Sequence, residues 1–221
     1  MAAKLAPPRP EELAAALRLI RSNAIATQPL ARPRKKLAAV HSADCEHWNT
    51  PEVVLAVIRG ILGEIDLDPC HNDGSIVGAH HTRTKGQDGL AVPWSSGEFA
   101  RAPGRPVRVF ANPPYGRHLG DWFAHAVEGA AEGAEIVLLV PSRTDVEWFH
   151  RWGAQADAVC FWAGRITFKG APAPAPFPSA LIYYGSERLA AAERAFMAHG
   201  MLWSARRDNA NGAPLQRKLT W

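Results

Sequence analysis

Apolar residues follow two different spacings along the chain. The runs "IVLLV" at 136–140 and "ALIYY" at 180–184 are continuously apolar, as expected of strands that are buried on both faces. Between residues 119 and 130 the apolar side chains recur every three or four positions, which predicts an amphipathic helix. Such strands and helices alternate over most of the sequence, and this alternation predicts an α/β fold with a mainly parallel, doubly wound sheet.

The same patterns predict the other elements. Strands are expected at "EIDLDP", "VRVF" and "DAVCFW", and helices at "WNTPEVVLAVIRGILG", "DVEWFHRW" and "SERLAAAERAFMAHG". In the first of these helices Thr50 is suited to cap the start, Pro51 to take the first helical position and Gly63 to end it. In the last one Ser186 is the expected cap and Gly200 the expected end.

The charge of the chain is concentrated near its beginning. Residues 1–46 carry eight Lys or Arg against four Asp or Glu, so the rest of the 221-residue chain is balanced at 17 of each. We therefore expect a basic N-terminal arm with a short helix at 1–40 and the main domain at 41–221. An arm of this charge suits a nucleic-acid phosphate backbone, and a solvated linker is the alternative.

Composition argues against several other classes of protein. The longest apolar runs are far too short to span a bilayer, and no apolar run follows the first charged residues, so a cytoplasmic location without membrane contact is expected. Cys45, Cys70 and Cys160 are far apart and form no CxxC pair, which argues against a disulfide framework or a zinc site. We expect no metal, and "CEHW" with "PCHN" leaves a mixed Cys/His site as the alternative.

The motif "ANPPYG" directly follows the predicted strand "VRVF". Its two prolines fix the backbone and remove two N–H donors, which leaves the Asn112 side-chain oxygen and the Pro113 carbonyl as acceptors. Tyr115 adds a flat aromatic face. Such a turn is suited to hold a planar group that carries an NH2, to accept both of its hydrogens, and so to prepare the nitrogen for methylation.

Several blocks of the sequence resemble one known family. Asn-Pro-Pro-Tyr is similar to the catalytic motif of S-adenosylmethionine-dependent amino-methyltransferases. The blocks "WNTP", "DLDPC", "QDGL", "LLVPSRTDVEWFH", "WAGRITF" and "FPSALIYY" occur around it in the order of the phage-type DNA N6-adenine methyltransferase family. The resemblance covers residues 47–185. It implies a Rossmann-like methyltransferase fold and site-specific methyl transfer from S-adenosyl-L-methionine to the N6 amine of adenine in double-stranded DNA, with no obligate protein partner.

The resemblance also implies cofactor-binding residues. The block "WNTP" is similar to the one that helps to hold the methionine end of the cofactor. "DLDPC" resembles the first-strand cofactor block, and the acidic residue of "QDGL" matches the one that faces the cofactor's adenine amine. The implied cofactor-binding residues are Trp48, Thr50, Pro51, Asp68, Pro69 and Asp88.

The sequence departs from many methyltransferases in one respect. No GxG follows the first strand, so Asp68, Asn72 and Asp73 are all candidates for binding the cofactor ribose, with Asp68 ranked first. The catalytic motif itself is intact. The implied catalytic residues are Asn112, Pro113, Pro114 and Tyr115.

The stretch "WAGRITFKGAPAPAPFPS" is expected to be a stiff, extended loop, because Ala and Pro alternate along it. It would overhang the face on which DNA lies, where Arg165 and Lys169 are predicted to contact phosphates. A solvent-exposed hairpin without such contacts is the alternative.

Two other functions stay open from the residues alone. A protein-glutamine N5 methyltransferase also presents a planar amide NH2 to Asn-Pro-Pro-Tyr, so the motif does not separate it from a DNA enzyme. A catalytically silent nucleic-acid-binding module is the alternative from a different class. The basic arm and the ordered blocks favour the DNA enzyme.

Overall fold

The structure, a computed structural model, describes residues 48–84 and 87–205. These residues form an α/β fold, which confirms that part of the prediction. The predicted N-terminal arm at 1–40 lies outside the described residues, as does Cys45. The division of the chain at residue 40 therefore stays a prediction.

Four α-helices and seven strands occur in the part of the chain that the structure describes. The strands are β1 (Leu67–Asp68), β2 (His81–Thr82), β3 (Arg108–Ala111), β4 (Glu135–Pro141), β5 (Ala158–Trp162), β6 (Ser179–Tyr184) and β7 (Gly200–Ser204). The α-helices are α1 (Glu52–Leu62), α2 (Leu119–Ala131), α3 (Glu147–Arg151) and α4 (Leu189–Met197), and short 3-10 helices lie at Gly97–Phe99 and Gly153–Gln155.

The strands form one sheet in the order β2-β1-β3-β4-β6-β5-β7. The pairs β1–β2, β1–β3 and β3–β4 are parallel, whereas β4–β6, β5–β6 and β5–β7 are antiparallel. The sheet is therefore mixed, and the predicted parallel arrangement holds only for its first half. The reason lies in the connections. A parallel return needs a crossover, usually a helix, and the Pro-rich segment from β5 to β6 forms none, so β6 returns antiparallel beside β5.

Apolar residues on both faces of the sheet are covered. In β4, Val137 and Leu139 belong to a core that includes α1 and α4, while Ile136, Leu138 and Val140 belong to a second core that includes α2. All of β4 is buried, which explains why this strand is a continuous apolar run. No helix in the described ranges is long and apolar enough to cross a membrane.

The start of α1 differs from the prediction. Pro51 is the N-cap residue and no side chain makes a capping hydrogen bond, so the assignment of the cap to Thr50 is wrong. Proline has no side-chain acceptor for the first N–H groups of the helix. Its main-chain carbonyl instead accepts the N–H groups of Val54 and Leu55 at 3.0 and 3.1 Å. Gly63 ends the helix with a φ of 73°, as predicted.

The beginning and end of α4 also differ from the prediction. The N–H groups of Ser186 and Glu187 donate to the buried carboxylate of Glu135 at 3.1 and 3.0 Å, and the helix begins only after Arg188. Gly200 opens β7 instead of ending the helix. The sequence patterns miss β7 because its residues are only exposed or half-buried and form only a short apolar run, and they miss β2 because neither of its residues is apolar.

The carboxyl ends of β1 and β3 lie side by side, since Leu67 pairs in parallel with Val109. The chain leaves β1 at Pro69 and leaves β3 at Asn112, so both loops emerge at the same edge of the sheet. Because β4 is parallel to β3, the loop after Pro141 emerges there as well. Ligands of α/β sheets bind at an edge of this kind.

Candidate active site

A cleft of about 810 Å³ opens at this edge of the sheet. Its size lies in the range of small-molecule sites, which is about 300–1,000 Å³. The cleft is formed by the segment before α1, the loops after β1 and β2, and the turn after β3. The predicted site residues that line it are Trp48, Thr50, Asp68, Pro69, Asp88, Asn112, Pro113, Pro114 and Tyr115.

Three predicted site residues do not line the cleft. Pro51 forms the N-cap of α1, so the structure gives it a place at the helix start, and its contact with a cofactor stays a prediction. Arg165 and Lys169 are exposed on the segment between β5 and β6. That segment borders the cleft through the buried side chain of Phe168.

Asn112 lies in the turn after β3, and both ends of its side-chain amide make hydrogen bonds. The hydroxyl oxygen of Tyr115 is 2.7 Å from Oδ1, and Nδ2 is 3.4 Å from the main-chain oxygen of Trp48. Pro113 is buried and Asn112 is half-buried. Since neither proline carries an N–H, no main-chain donor at these two positions competes with the acceptors of the turn.

Aromatic side chains form a wall beside this turn. The rings of Trp48 and Phe168 are stacked with centroids 5.7 Å apart. Tyr115 meets Phe168 and Phe177 at steep angles, with centroid distances of 6.2 and 5.5 Å. Phe177 was not predicted as a site residue, because the alternation of Ala and Pro before it indicates only an extended backbone. The segment between β5 and β6 is therefore part of the wall of the site as well as its rim.

Main-chain hydrogen bonds tie that segment to the residues before α1. The N–H of Asn49 donates to the Lys169 carbonyl at 3.0 Å, and the N–H of Lys169 donates to the Asn49 carbonyl at 2.8 Å. The side chains of Arg165 and Lys169 stay exposed beside this bridge. Within the described residues, no carboxylate lies within ion-pair distance of either cation.

Asp68, at the end of β1, is a buried carboxylate of the cleft and is only 3% exposed. Its Oδ1 accepts the N–H of Cys70 at 3.0 Å, and its Oδ2 is 3.5 Å from Nδ1 of His71. Burial raises the pKa of Asp68 above its ordinary value, and the Cys70 N–H and the His71 side chain oppose this shift. A carboxylate fixed in this way is a strong acceptor for a ligand hydroxyl.

Cys70 and His71 also line the cleft, although neither was predicted as a site residue. The Cys70 thiol lies against the main-chain N–H of Asn112, which links the loop after β1 to the turn after β3. Burial, with the Asp68 carboxylate, raises the pKa of this thiol well above its ordinary value, so it stays protonated at neutral pH. No metal-binding group of three or more His, Cys, Asp or Glu residues occurs among the described residues.

The block "QDGL" brings the loop after β2 to the cleft. Asp88 has a φ of 44°, and its Oδ1 accepts the N–H of Leu90 at 3.1 Å. The rest of this exposed carboxylate is open to the cleft. Gly89 is buried against the end of β1, where a Cβ atom would lie 2.1 Å from the carbonyl oxygen of Pro69. Glycine is thus needed for the two loops to meet.

Replacement of Gly89 by alanine is expected to destabilise the protein by about 1–3 kcal/mol, because the added Cβ forces the loop after β2 away from Pro69. Thermal unfolding measures this loss. Gly60→Ala is the matched control, since a Cβ at that helical position meets nothing within 4 Å and is expected to raise the midpoint slightly. Equal midpoints for the two variants would contradict the packing argument.

One family model matches the chain. It is described as DNA N-6-adenine-methyltransferase (Dam) and matches residues 38–179. The matched part is more than half of the chain, and every predicted site residue lies within it. No curated protein matches the chain.

Proposed function

The chain belongs to the DNA N-6-adenine-methyltransferase (Dam) family, and we propose that its cleft binds S-adenosyl-L-methionine and an adenine of double-stranded DNA side by side. The activity that the family indicates is methylation of DNA at adenine N6. One observation supports the site above all others. Asp68 and Asn112 lie at the ends of neighbouring parallel strands and line the same cleft, so a cofactor at the first is adjacent to a base at the second.

The cleft fits the proposed cofactor in size and in the groups that it offers. The exposed carboxylate of Asp88 is suited to accept from the amine of the cofactor's adenine. Trp48 and Thr50 line the part of the cleft assigned to the methionine end, and Pro69 supplies an apolar wall. When bound, S-adenosyl-L-methionine supplies a methyl group activated by its sulfonium.

The buried carboxylate of Asp68 is the best candidate for the cofactor ribose, because it pairs strong acceptor character with a fixed position. Asn72 and Asp73 line the cleft as well. The Asn72 side-chain oxygen, which accepts the N–H of Gly74 at 3.0 Å, is a neutral and therefore weaker acceptor, and Asp73 is exposed. Both are therefore ranked below Asp68.

The turn after β3 prepares the amine of the target base. The lone pair of the adenine amine is delocalised into the ring, so the free amine is a poor nucleophile. Asn112 Oδ1 and the Pro113 carbonyl oxygen accept its two hydrogens and draw the nitrogen towards tetrahedral geometry. The same acceptors stabilise the positive charge that develops on the nitrogen, and the Tyr115 ring stacks on the base. Because Asn112 is half-buried, we propose that the base leaves the duplex to reach it.

We also propose a fold class and a location for the enzyme. The parallel half of the sheet, β2-β1-β3-β4, carries the cleft at its carboxyl edge, which supports a Rossmann-like arrangement for the catalytic half. With DNA and the methyl donor as its substrates, the enzyme would act in the cytoplasm of a bacterial or phage-infected cell.

Transfer of a radiolabelled methyl group to unmethylated duplex DNA tests the proposed function. The purified chain is incubated with labelled S-adenosyl-L-methionine, and the digested nucleosides are then separated. We expect the label in N6-methyladenine. Label on a glutamine of an added protein would instead favour the N5 methyltransferase. No cofactor binding by calorimetry would favour the silent module.

Arg165 and Lys169 are proposed to contact DNA phosphates at the rim of the cleft. Replacing both by alanine is expected to make the dependence of log affinity on log salt concentration shallower by about 1.8, because about 0.9 is lost per phosphate contact. The measurement is DNA affinity across a salt series. The matched control removes the exposed cations Arg101 and Arg194, which lie away from the cleft. An equal change of slope in both double variants would assign the effect to net charge alone.

A further inference from the structure

The contacts of the Asn112 amide define which end of it is the oxygen. The main-chain oxygen of Trp48 lies at one end of the amide, and a carbonyl oxygen only accepts hydrogen bonds. The group next to Trp48 is therefore the NH2. The oxygen is left at the other end, where the hydroxyl of Tyr115 donates to it at 2.7 Å.

A second acceptor competes for the Tyr115 hydroxyl. The main-chain oxygen of Leu139 lies 3.3 Å from it. The hydroxyl has one hydrogen, and the distance to Asn112 is close to the 2.7–2.8 Å that is typical of an O–H···O bond, whereas the distance to Leu139 is beyond it. The hydrogen therefore belongs to the bond with Asn112.

The position of this hydroxyl is fixed by the packing of its ring. Tyr115 is half-buried and meets both Phe168 and Phe177 at angles of 70° and 83°. Both phenylalanines lie on the segment between β5 and β6, and that segment is tied to Asn49 by the main-chain bridge. The ring thus has supports from parts of the chain other than its own turn.

We propose that Tyr115 is a positioning residue as well as a stacking surface, and that its hydroxyl keeps Asn112 Oδ1 turned towards the adenine amine. This inference rests on the proposed function of the cleft. An amide oxygen has two lone pairs, so Tyr115 occupies one and leaves the second for an amine hydrogen. Without the hydroxyl the amide rotates more freely. Its NH2 then faces the amine of the base for part of the time, which sets a donor against a donor.

The test is Tyr115→Phe, which keeps the ring and removes the hydroxyl. We expect the single-turnover methylation rate at saturating DNA and S-adenosyl-L-methionine to fall about tenfold, because the free-energy difference that holds the amide in its productive orientation is about that of one hydrogen bond. The half-saturating DNA concentration and the cofactor affinity are expected to stay at wild-type values. Rates are normalised to the concentration of cofactor-binding sites, so that a smaller folded fraction does not imitate the effect.

Tyr184→Phe is the matched control. The Tyr184 hydroxyl donates to the main-chain oxygen of Trp152 at 2.9 Å and does not line the cleft, so its loss is expected to lower the unfolding midpoint but not the methylation rate. A wild-type rate in Tyr115→Phe would overturn the inference, since a ring that only stacks does not need its hydroxyl. An equal slowing of both variants would overturn it too. A wild-type chain that transfers no methyl to adenine would instead refute the proposed function itself.

Discussion

Asn112→Ala is expected to lower the rate of methyl transfer by about a hundredfold or more, the size of effect seen when one preorganised hydrogen-bonding group is removed from an active site. The side chain supplies one of the two acceptors for the adenine amine. Binding of S-adenosyl-L-methionine is expected to stay close to wild type, because Asp68 and Asp88 are unchanged and the main-chain N–H of Asn112 still meets the Cys70 thiol. Single-turnover methylation and calorimetric titration measure the two quantities separately.

Asn112→Asp separates the acceptor from the donor of the same side chain. Aspartate keeps an oxygen that the Tyr115 hydroxyl reaches, but it places a second oxygen near the main-chain oxygen of Trp48, where the amide now donates at 3.4 Å. We expect a smaller loss of rate than in Asn112→Ala, since the acceptor for the amine is retained. If both variants lost the same activity, the essential group would be the NH2 and not the oxygen.

The positions of Asp68 and Asn112 at one edge of the sheet could be predicted from the sequence. "DLDP" and "ANPPYG" each stand at the end of a predicted strand, and parallel strands bring their ends to one edge of the sheet. The juxtaposition of Asp68 and Asn112 therefore follows from a pattern that is local in sequence. The burial of Asp68 follows as well, because β1 lies between two other strands.

Other parts of the site depend on contacts between distant segments, which local patterns do not encode. The hydrogen bond from Asn112 to Trp48 uses a main-chain oxygen, so the identity of the side chain at position 48 does not predict it. Phe177 reaches Tyr115 only because β6 enters the sheet between β4 and β5. That insertion also makes the β4–β6 and β5–β6 pairs antiparallel. The apolar pattern of a strand predicts that it is buried but not the direction in which it runs.

Asp68→Asn is expected to weaken the binding of S-adenosyl-L-methionine by about ten- to a hundredfold, and yet to make the cofactor-free protein more stable at neutral pH. The loss of affinity is the size expected when a hydrogen bond to a charged acceptor becomes a neutral one. The gain in stability arises because burial raises the pKa of the Asp68 carboxyl above its ordinary value of 3.8, so its ionised form is disfavoured in the folded protein.

The sign of the pH dependence follows from proton binding. Between pH 3.8 and the raised pKa, the folded protein holds more protons on Asp68 than the unfolded chain does, so this group's contribution to stability falls as the pH rises through that window. Above the window the cost of the buried charge is constant. Asparagine carries no charge, so the stability advantage of the variant is expected to be absent below pH 3.8, to grow as the pH rises through the window, and to stay constant above it. Thermal unfolding without cofactor across this pH range measures the difference.

Asp66→Asn is expected to change the stability at neutral pH in the opposite direction from Asp68→Asn. Asp66 is also fully buried beside β1, but its carboxylate is paired with Arg105 at 2.5 Å and accepts the N–H of Arg108 at 2.8 Å. Replacing it leaves the Arg105 guanidinium without its partner carboxylate, so stability at neutral pH is expected to fall. The carboxylate of Asp66 is stabilised by an arginine, whereas burial of the Asp68 carboxylate outweighs its contacts in the loop after β1 and raises its pKa. Loss of stability in both variants at neutral pH would place Asp68 with Asp66 as a structural group and would remove the main support for its role in cofactor binding.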